Sequence, residues 1–200
     1  MMQLHEILFV ISSYLLGSIP AGFVIYYLME KKDIREEGSG NIGATNMMRT
    51  KGKKAAIPTL IFDVLKGALP VFYGLQYFDS PVVVICGGAA AVMGHLFPLY
   101  IKFKGGKGVA SLAGVFLAFN YPTVLVFGVF FLVAGYFTKH VSAGSITGVG
   151  AIFFYTLFTQ IVEVAGIVFL LTVIILFKHA GNIKKMMAGT ENKFCWKENG

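Results

Sequence analysis

Residues Val109 to Phe137 read VASLAGVFLAF, then NYP, then TVLVFGVFFLVAGYF. How this stretch divides decides the fold. It is either one long helix or two shorter ones split at Asn120-Tyr121-Pro122. The piece 109–119 is short, at about 17 Å for 1.5 Å per residue, against a bilayer core of ~30 Å.

Charge placement settles the division. Working outward, apolar runs lie at about 5–29, 55–77, 81–100, 109–119, 121–138, 144–161 and 163–177. Lys and Arg accumulate in cytoplasmic segments. With seven crossings and an external N-terminus, the inner segments are 30–54, 101–108, 139–143 and 178–200. Of 17 Lys and Arg residues, all but Lys66 fall in them. The outer segments carry acidic residues such as Asp79 and Glu163. Six crossings place these groups less well. The first run lacks a basic leader and exceeds the apolar core of a cleaved signal, so it reads as a span. The expectation is an all-α polytopic membrane protein, one domain over 1–200. It has seven transmembrane helices, some short, and a cytoplasmic C-terminus.

Composition agrees. Hydrophobic residues make up 56% of the 200-residue chain and charged residues 14%, against roughly a quarter charged in a globular domain. The 24 glycines suit close packing of membrane helices. A net charge of +7 that lies between apolar runs does not mark a nucleic-acid binder. Cys86 sits in an apolar run and Cys195 in the basic tail, which argues against a disulfide and against a metal site.

The inner segments have room for polar chemistry. The first holds Gly38-Ser39-Gly40-Asn41-Ile42-Gly43-Ala44-Thr45-Asn46-Met47-Met48-Arg49. Gly40, Gly43 and their neighbours let consecutive N–H groups form an anion-binding nest. Ser39, Asn41, Thr45 and Asn46 add neutral donors, and the Arg49 fork matches two phosphate oxygens. The second holds Lys104-Gly105-Gly106-Lys107-Gly108 running into Val109. It lacks P-loop spacing, but a glycine turn feeding a helix start favours an anion, and Lys107 adds a charge there. In the tail, His179 and Asn182 share one helix face at i,i+3 spacing. Lys184, Lys185 and Lys193 suit anionic lipid heads.

Other polar residues have structural readings. Asp63 and Lys66, also i,i+3, lie inside a span, where each costs roughly 2.5–3.5 kcal/mol near mid-bilayer, so they should pair. His95, near the inner end of the third span, and Ser142 and Ser145, at the start of the sixth, suit packing or loop capping. Ser142 is also a candidate substrate contact.

Together these residues resemble a known family. Gly38-Ser39-Gly40-Asn41-x-Gly43-Ala44-Thr45-Asn46-x-x-Arg49, Asp63-x-x-Lys66-Gly67, Gly94-His95-x-x-Pro98, Lys104-Gly105-Gly106-Lys107-Gly108-Val109-Ala110, His179-x-x-Asn182 and Gly189-x-Glu191 occur in order. The chain resembles the bacterial acyl-phosphate–glycerol-3-phosphate acyltransferase (PlsY) family over nearly its whole length. The resemblance implies transfer of a fatty acyl group from acyl phosphate to the 1-hydroxyl of sn-glycerol 3-phosphate. The products would be lysophosphatidic acid and phosphate, in the first acylation of phospholipid synthesis. It also implies a bacterial inner membrane location with the site facing the cytoplasm. Apart from the two substrates and membrane lipid, no metal, other cofactor or obligate protein partner is implied. Ser39, Arg49, Lys107, His179 and Asn182 would carry the chemistry. Gly40, Asn41, Gly43, Thr45, Asn46, Gly105, Gly106, Gly108 and Ser142 would bind substrate. Asp63, Lys66, His95 and Glu191 would play secondary parts. The rival reading is a transporter or channel for an organic phosphate, which would share the anion nests.

Overall fold

In the computed structural model, which describes residues 3–193, the regular structure is helical, with no strand among the described residues. Cys195 and the rest of the tail beyond Lys193 lie outside the described residues. The helices are α1 (Leu4–Gly17), α2 (Ala21–Glu30), α3 (Ala44–Lys51), α4 (Lys53–Tyr77), α5 (Pro81–Leu96), α6 (Val109–Phe119), α7 (Tyr121–Thr138), α8 (Val141–Thr159), α9 (Val162–Lys178) and α10 (Ala180–Met187).

Every apolar run of the sequence is helical, and the split at Asn120 is real: α6 ends at Phe119 and α7 begins at Tyr121. Five stretches are long and apolar enough to cross a membrane: Leu4–Glu30, Lys53–Tyr77, Pro81–Ile101, Tyr121–Thr138 and Val141–Thr159. Helices α9 and α10, bent by 53°, make a sixth if taken as one span. Helix α6, with 11 residues, is apolar but short. The protein is thus a multi-pass membrane protein, with many large apolar side chains turned outward, among them Phe62, Phe72, Leu125, Leu132 and Phe158.

Three boundaries differ from the sequence reading. The first run is not one uninterrupted helix: it breaks at Ser18-Ile19-Pro20, where proline has no N–H to continue the ladder. The segment 30–54 is not wholly loop, because Ala44–Lys51 forms α3 on a Gly43 cap. Helix α8 starts at Val141, earlier than expected, so Ser142 lies in its first turn.

The chain forms two compact units, Met1–Tyr121 and Pro122–Gly200. In the first, α4 packs on α6 and α1 on α5. The α4–α6 crossing is reciprocal. A Cβ on Gly67 would overlap the Ser111 carbonyl, and one on Gly114 would overlap the Val64 carbonyl. Both backbones therefore approach more closely than side chains would allow. In the second unit α8 packs on α9, and Gly144 and Gly148 lie against Phe131 and Phe127 of α7. Buried hydroxyls bond back to the preceding turn: Ser13 donates to Phe9 O at 2.7 Å, Thr59 to Ala55 O at 2.9 Å and Thr156 to Ile152 O at 2.7 Å. Each of these three hydroxyls is thereby satisfied within its own helix in an apolar setting.

Gly114→Ala should lower the thermal midpoint in detergent, because overpacking costs about 1–3 kcal/mol. Gly128→Ala in α7, where a Cβ meets nothing within 4 Å, should leave it unchanged or raise it. Differential scanning fluorimetry on the two variants checks the contrast.

Candidate functional site

In the first unit, residues 38–46 are built around one amide. Asn46 is buried, and its Oδ1 accepts from Ser39 N at 2.8 Å. Its Nδ2 donates to Asn41 O at 2.8 Å and Glu37 O at 3.0 Å. The Asn41 carboxamide in turn accepts from Gly43 N at 2.9 Å. Gly38 and Gly40 take positive φ of 59° and 72°, which only glycine adopts without strain. A Cβ on Gly38 would overlap Asn46 Oδ1, so the glycine is required by the same contact. Asn46 therefore shapes the loop from within. Ser39 is exposed on its surface, while on α3 Thr45 is half-buried in the first turn and Arg49 exposed in the last.

The second loop follows α5. Gly106 N donates to His95 O at 3.0 Å, and Phe103 N to Pro98 O at 2.9 Å. Gly105 and Gly106 lie so close to the end of α5 that a Cβ on either would overlap His95 atoms. Gly108, at φ 84°, caps α6. Half-buried Lys107 stands between these glycines.

Arg35 connects the two loops, a link the sequence reading missed. Its Nη1 donates to Ile101 O at 3.2 Å, while Nε and Nη2 engage Asp33 at 2.6–3.0 Å. The guanidinium also sits over the Phe23 ring, 5.4 Å from its centroid. The available signal was Asp33-Ile34-Arg35 directly after a helix exit, where an Asp cap and a nearby Arg can pair. The Arg35 hydrogen bonds hold the Asp33 carboxyl below its ordinary value of 3.8, against the opposing effect of partial burial.

Within the membrane part of the first unit, Asp63, Lys66 and His95 meet as one buried cluster. Lys66 Nζ lies 2.8 Å and His95 Nδ1 3.3 Å from Asp63 Oδ1. The expected pairing of Asp63 with Lys66 is present, and His95 joins it.

In the second unit, His179 occupies the bend between α9 and α10, and its Nδ1 lies 2.9 Å from Ile175 O. A carbonyl only accepts, so Nδ1 is the donor in this contact. Asn182 sits in the first turn of α10. Its Nδ2 donates to Glu191 Oε1 at 2.8 Å, and Ser142 Oγ donates to the same oxygen at 2.9 Å. Glu191, 8% exposed, thus fastens the tail residues to the start of α8. Ser145 bonds back to Val141 O at 2.9 Å, a local role. Lys184 and Lys185 are exposed on α10.

The geometry is matched by comparisons with known proteins. A family profile described as Glycerol-3-phosphate acyltransferase matches residues 7–189. A protein of Macrococcus caseolyticus named glycerol-3-phosphate acyltransferase is 44% identical over 96% of this chain and 98% of its own. Two crystal structures of PlsY (YgiH), an integral membrane glycerol 3-phosphate acyltransferase, superpose well on this fold. The glycerol 3-phosphate form gives a TM-score of 0.91 at 36% identity, and the lysophosphatidic acid form 0.87 at 35%. Each covers 96% of both chains.

Two outcomes follow. Glu191→Ala should destabilise more than Ser142→Ala, because it strands two donors at about 1–3 kcal/mol each when buried; thermal melts of both variants measure this. Because the folded Asp33 carboxyl lies below its unfolded value, its contribution is present above pH ~3.9 and is lost as pH falls through the lowered value. Isotope-edited NMR should find the Asp33 midpoint below 3.8 and returning towards it in Arg35→Ala.

Proposed function

This chain belongs to the glycerol-3-phosphate acyltransferase family, and we propose that its donor is acyl phosphate and its acceptor the 1-hydroxyl of sn-glycerol 3-phosphate. That it is an acyltransferase follows from membership. The products are lysophosphatidic acid and inorganic phosphate, in the first acylation of bacterial phospholipid synthesis. The observation that carries the reading is the match, over 96% of the chain, to PlsY structures in a glycerol 3-phosphate form and a lysophosphatidic acid form. The donor assignment adds a chemical argument. Two glycine-rich loops bearing Arg49 and Lys107 in the first unit offer amides and cations to phosphate, and acyl phosphate leaves as phosphate.

The step balances simply. The 1-hydroxyl oxygen bonds to the acyl carbonyl carbon and its proton passes to a base. The tetrahedral intermediate then collapses, the carbon–oxygen bond to phosphate breaks, and phosphate carries away the electron pair. Ser39, Arg49 and Lys107 hold phosphate and neutralise the departing charge. Their donors act at positions set by Asn46, Gly40, Asn41, Gly43, Thr45 and by Gly105, Gly106 and Gly108, so little reorganisation is needed at the moment of reaction. His179 takes the proton, or an acceptor phosphate oxygen does so. Asn182, fixed with Ser142 on Glu191, positions its substrate group.

The chain acts as one membrane domain with seven crossings, an external N-terminus and the reactive loops on the cytoplasmic side of the bacterial inner membrane. The distribution of Lys and Arg supports this orientation. Product formation in detergent, where no gradient exists, separates this reading from transport of an organic phosphate.

In purified protein, Arg49→Ala and His179→Ala should each lower the rate of lysophosphatidic acid formation from radiolabelled glycerol 3-phosphate by about 100-fold, with folding intact by circular dichroism. Near-normal turnover in both would refute the assignment. In a cysteine-free background, Asp79→Cys should react with an impermeant maleimide on intact spheroplasts, and Lys104→Cys only after permeabilisation. The reverse pattern would overturn the orientation.

A further inference from the structure

The second loop carries Lys107, yet its path is set by a residue on another element. Asp63, Lys66 and His95 are 2%, 5% and 3% exposed, so three ionisable groups share one interior of the first unit. Asp63 Oδ1 meets Lys66 Nζ at 2.8 Å on the same helix and His95 Nδ1 at 3.3 Å on α5. Lys66 also donates to Ile19 O at 3.0 Å, a carbonyl at the proline break between α1 and α2. A lone ion pair would need only Asp63 and Lys66. The imidazole adds a second end to the arrangement.

That second end is the loop. With Nδ1 turned to Asp63, the Nε2 edge of the ring faces the backbone of Gly106, where any Cβ would overlap it. The His95 carbonyl receives the Gly106 N–H at 3.0 Å. A Cβ on Gly105 would overlap the same carbonyl and Pro98 Cδ. Ring and carbonyl together leave the chain one narrow course over the end of α5. Lys107 follows immediately, and Gly108, capped on the Leu96 and Val92 side chains, starts α6.

We propose that His95, oriented by the Asp63–Lys66 pair, is a positioning residue for acyl transfer: it fixes the Gly105–Gly106 course and so aims Lys107 at the phosphate of a substrate. The inference rests on the acyl-phosphate reading above. It requires that His95 act through loop order and not through contact with substrate.

The test has two arms. Hydrogen–deuterium exchange on the full-length protein in detergent reads loop order without any substrate. Steady-state kinetics with acyl phosphate and glycerol 3-phosphate read function. His95→Ala should accelerate exchange in the 104–110 segment while α4 and α5 stay protected. It should raise KM for at least one phosphorylated substrate by about 10-fold or more, with a smaller fall in kcat. His95→Gln, which keeps reach and a polar tip, should recover part of both. Asp63→Leu/Lys66→Met removes the orienting pair without stranding a charge, so it should fold and still loosen the loop. Wild-type exchange and wild-type KM in His95→Ala would overturn the proposal. So would exchange that rises equally across α4 and α5, or a fall in kcat alone. Inactive wild-type protein with acyl phosphate would instead sink the donor assignment, and the exchange arm would still decide the role of His95.

Discussion

A carboxylate enclosed by membrane helices constrains much of the first unit. Asp63 inside α4 cannot stay charged without a partner, since a charge near mid-bilayer costs roughly 2.5–3.5 kcal/mol even on insertion scales. Lys66, one turn along, supplies the opposite charge, and its Nζ also bonds Ile19 O, a carbonyl at the break before Pro20. His95 brings α5 to the same oxygen. One residue beyond Lys66, Gly67 packs against Ser111 near the start of α6. The pair thus fastens helices on both sides of the glycine turn that holds Lys107. Buried ion pairs are weak evidence for stability, because apolar replacements are often as stable. Here the cluster has a geometric consequence, the course of a loop.

The same economy governs the other loop. Asn46 uses both ends of its carboxamide to shape residues 37–46, with Ser39 exposed there and Arg49 exposed on α3. A phosphate needs many donors at fixed places more than it needs a strong base. Backbone amides held by glycine turns, with two cations of different character, fit that need. Arg offers a planar fork and Lys a compact point charge. A donor that leaves as phosphate relieves the protein of activating a poor leaving group. On the acyl-phosphate reading proposed above, orientation and charge neutralisation carry much of the barrier.

Much of this was legible in residues read singly. The helix boundary at Asn120-Tyr121-Pro122 followed from the placement of Lys and Arg between the apolar runs. The pairing of Asp63 with Lys66 followed from the price of burying charge at i,i+3 spacing. The glycine density around Ser39 and Lys107 reappears as two turns, one held by Asn46 and one by the end of α5. What stayed hidden depends on contacts far apart in sequence. Nothing local says that Arg35 reaches the Ile101 carbonyl, that Glu191 gathers Ser142 and Asn182, or that His95 lies under Gly106. The helix Ala44–Lys51 was obscured because its residues read as polar loop, and its cap, Gly43, reads equally well as a turn. The break at Pro20 was overlooked because a long apolar run conceals one proline.

The most direct measurement is phosphorus NMR of the purified protein in detergent with synthetic acyl phosphate and glycerol 3-phosphate. The account predicts that the acyl phosphate signal falls as inorganic phosphate and lysophosphatidic acid rise in equal amounts, with no gradient and no added thioester. Lysophosphatidic acid formed only when acyl-CoA replaces acyl phosphate, or phosphate released without acylated product, would contradict it.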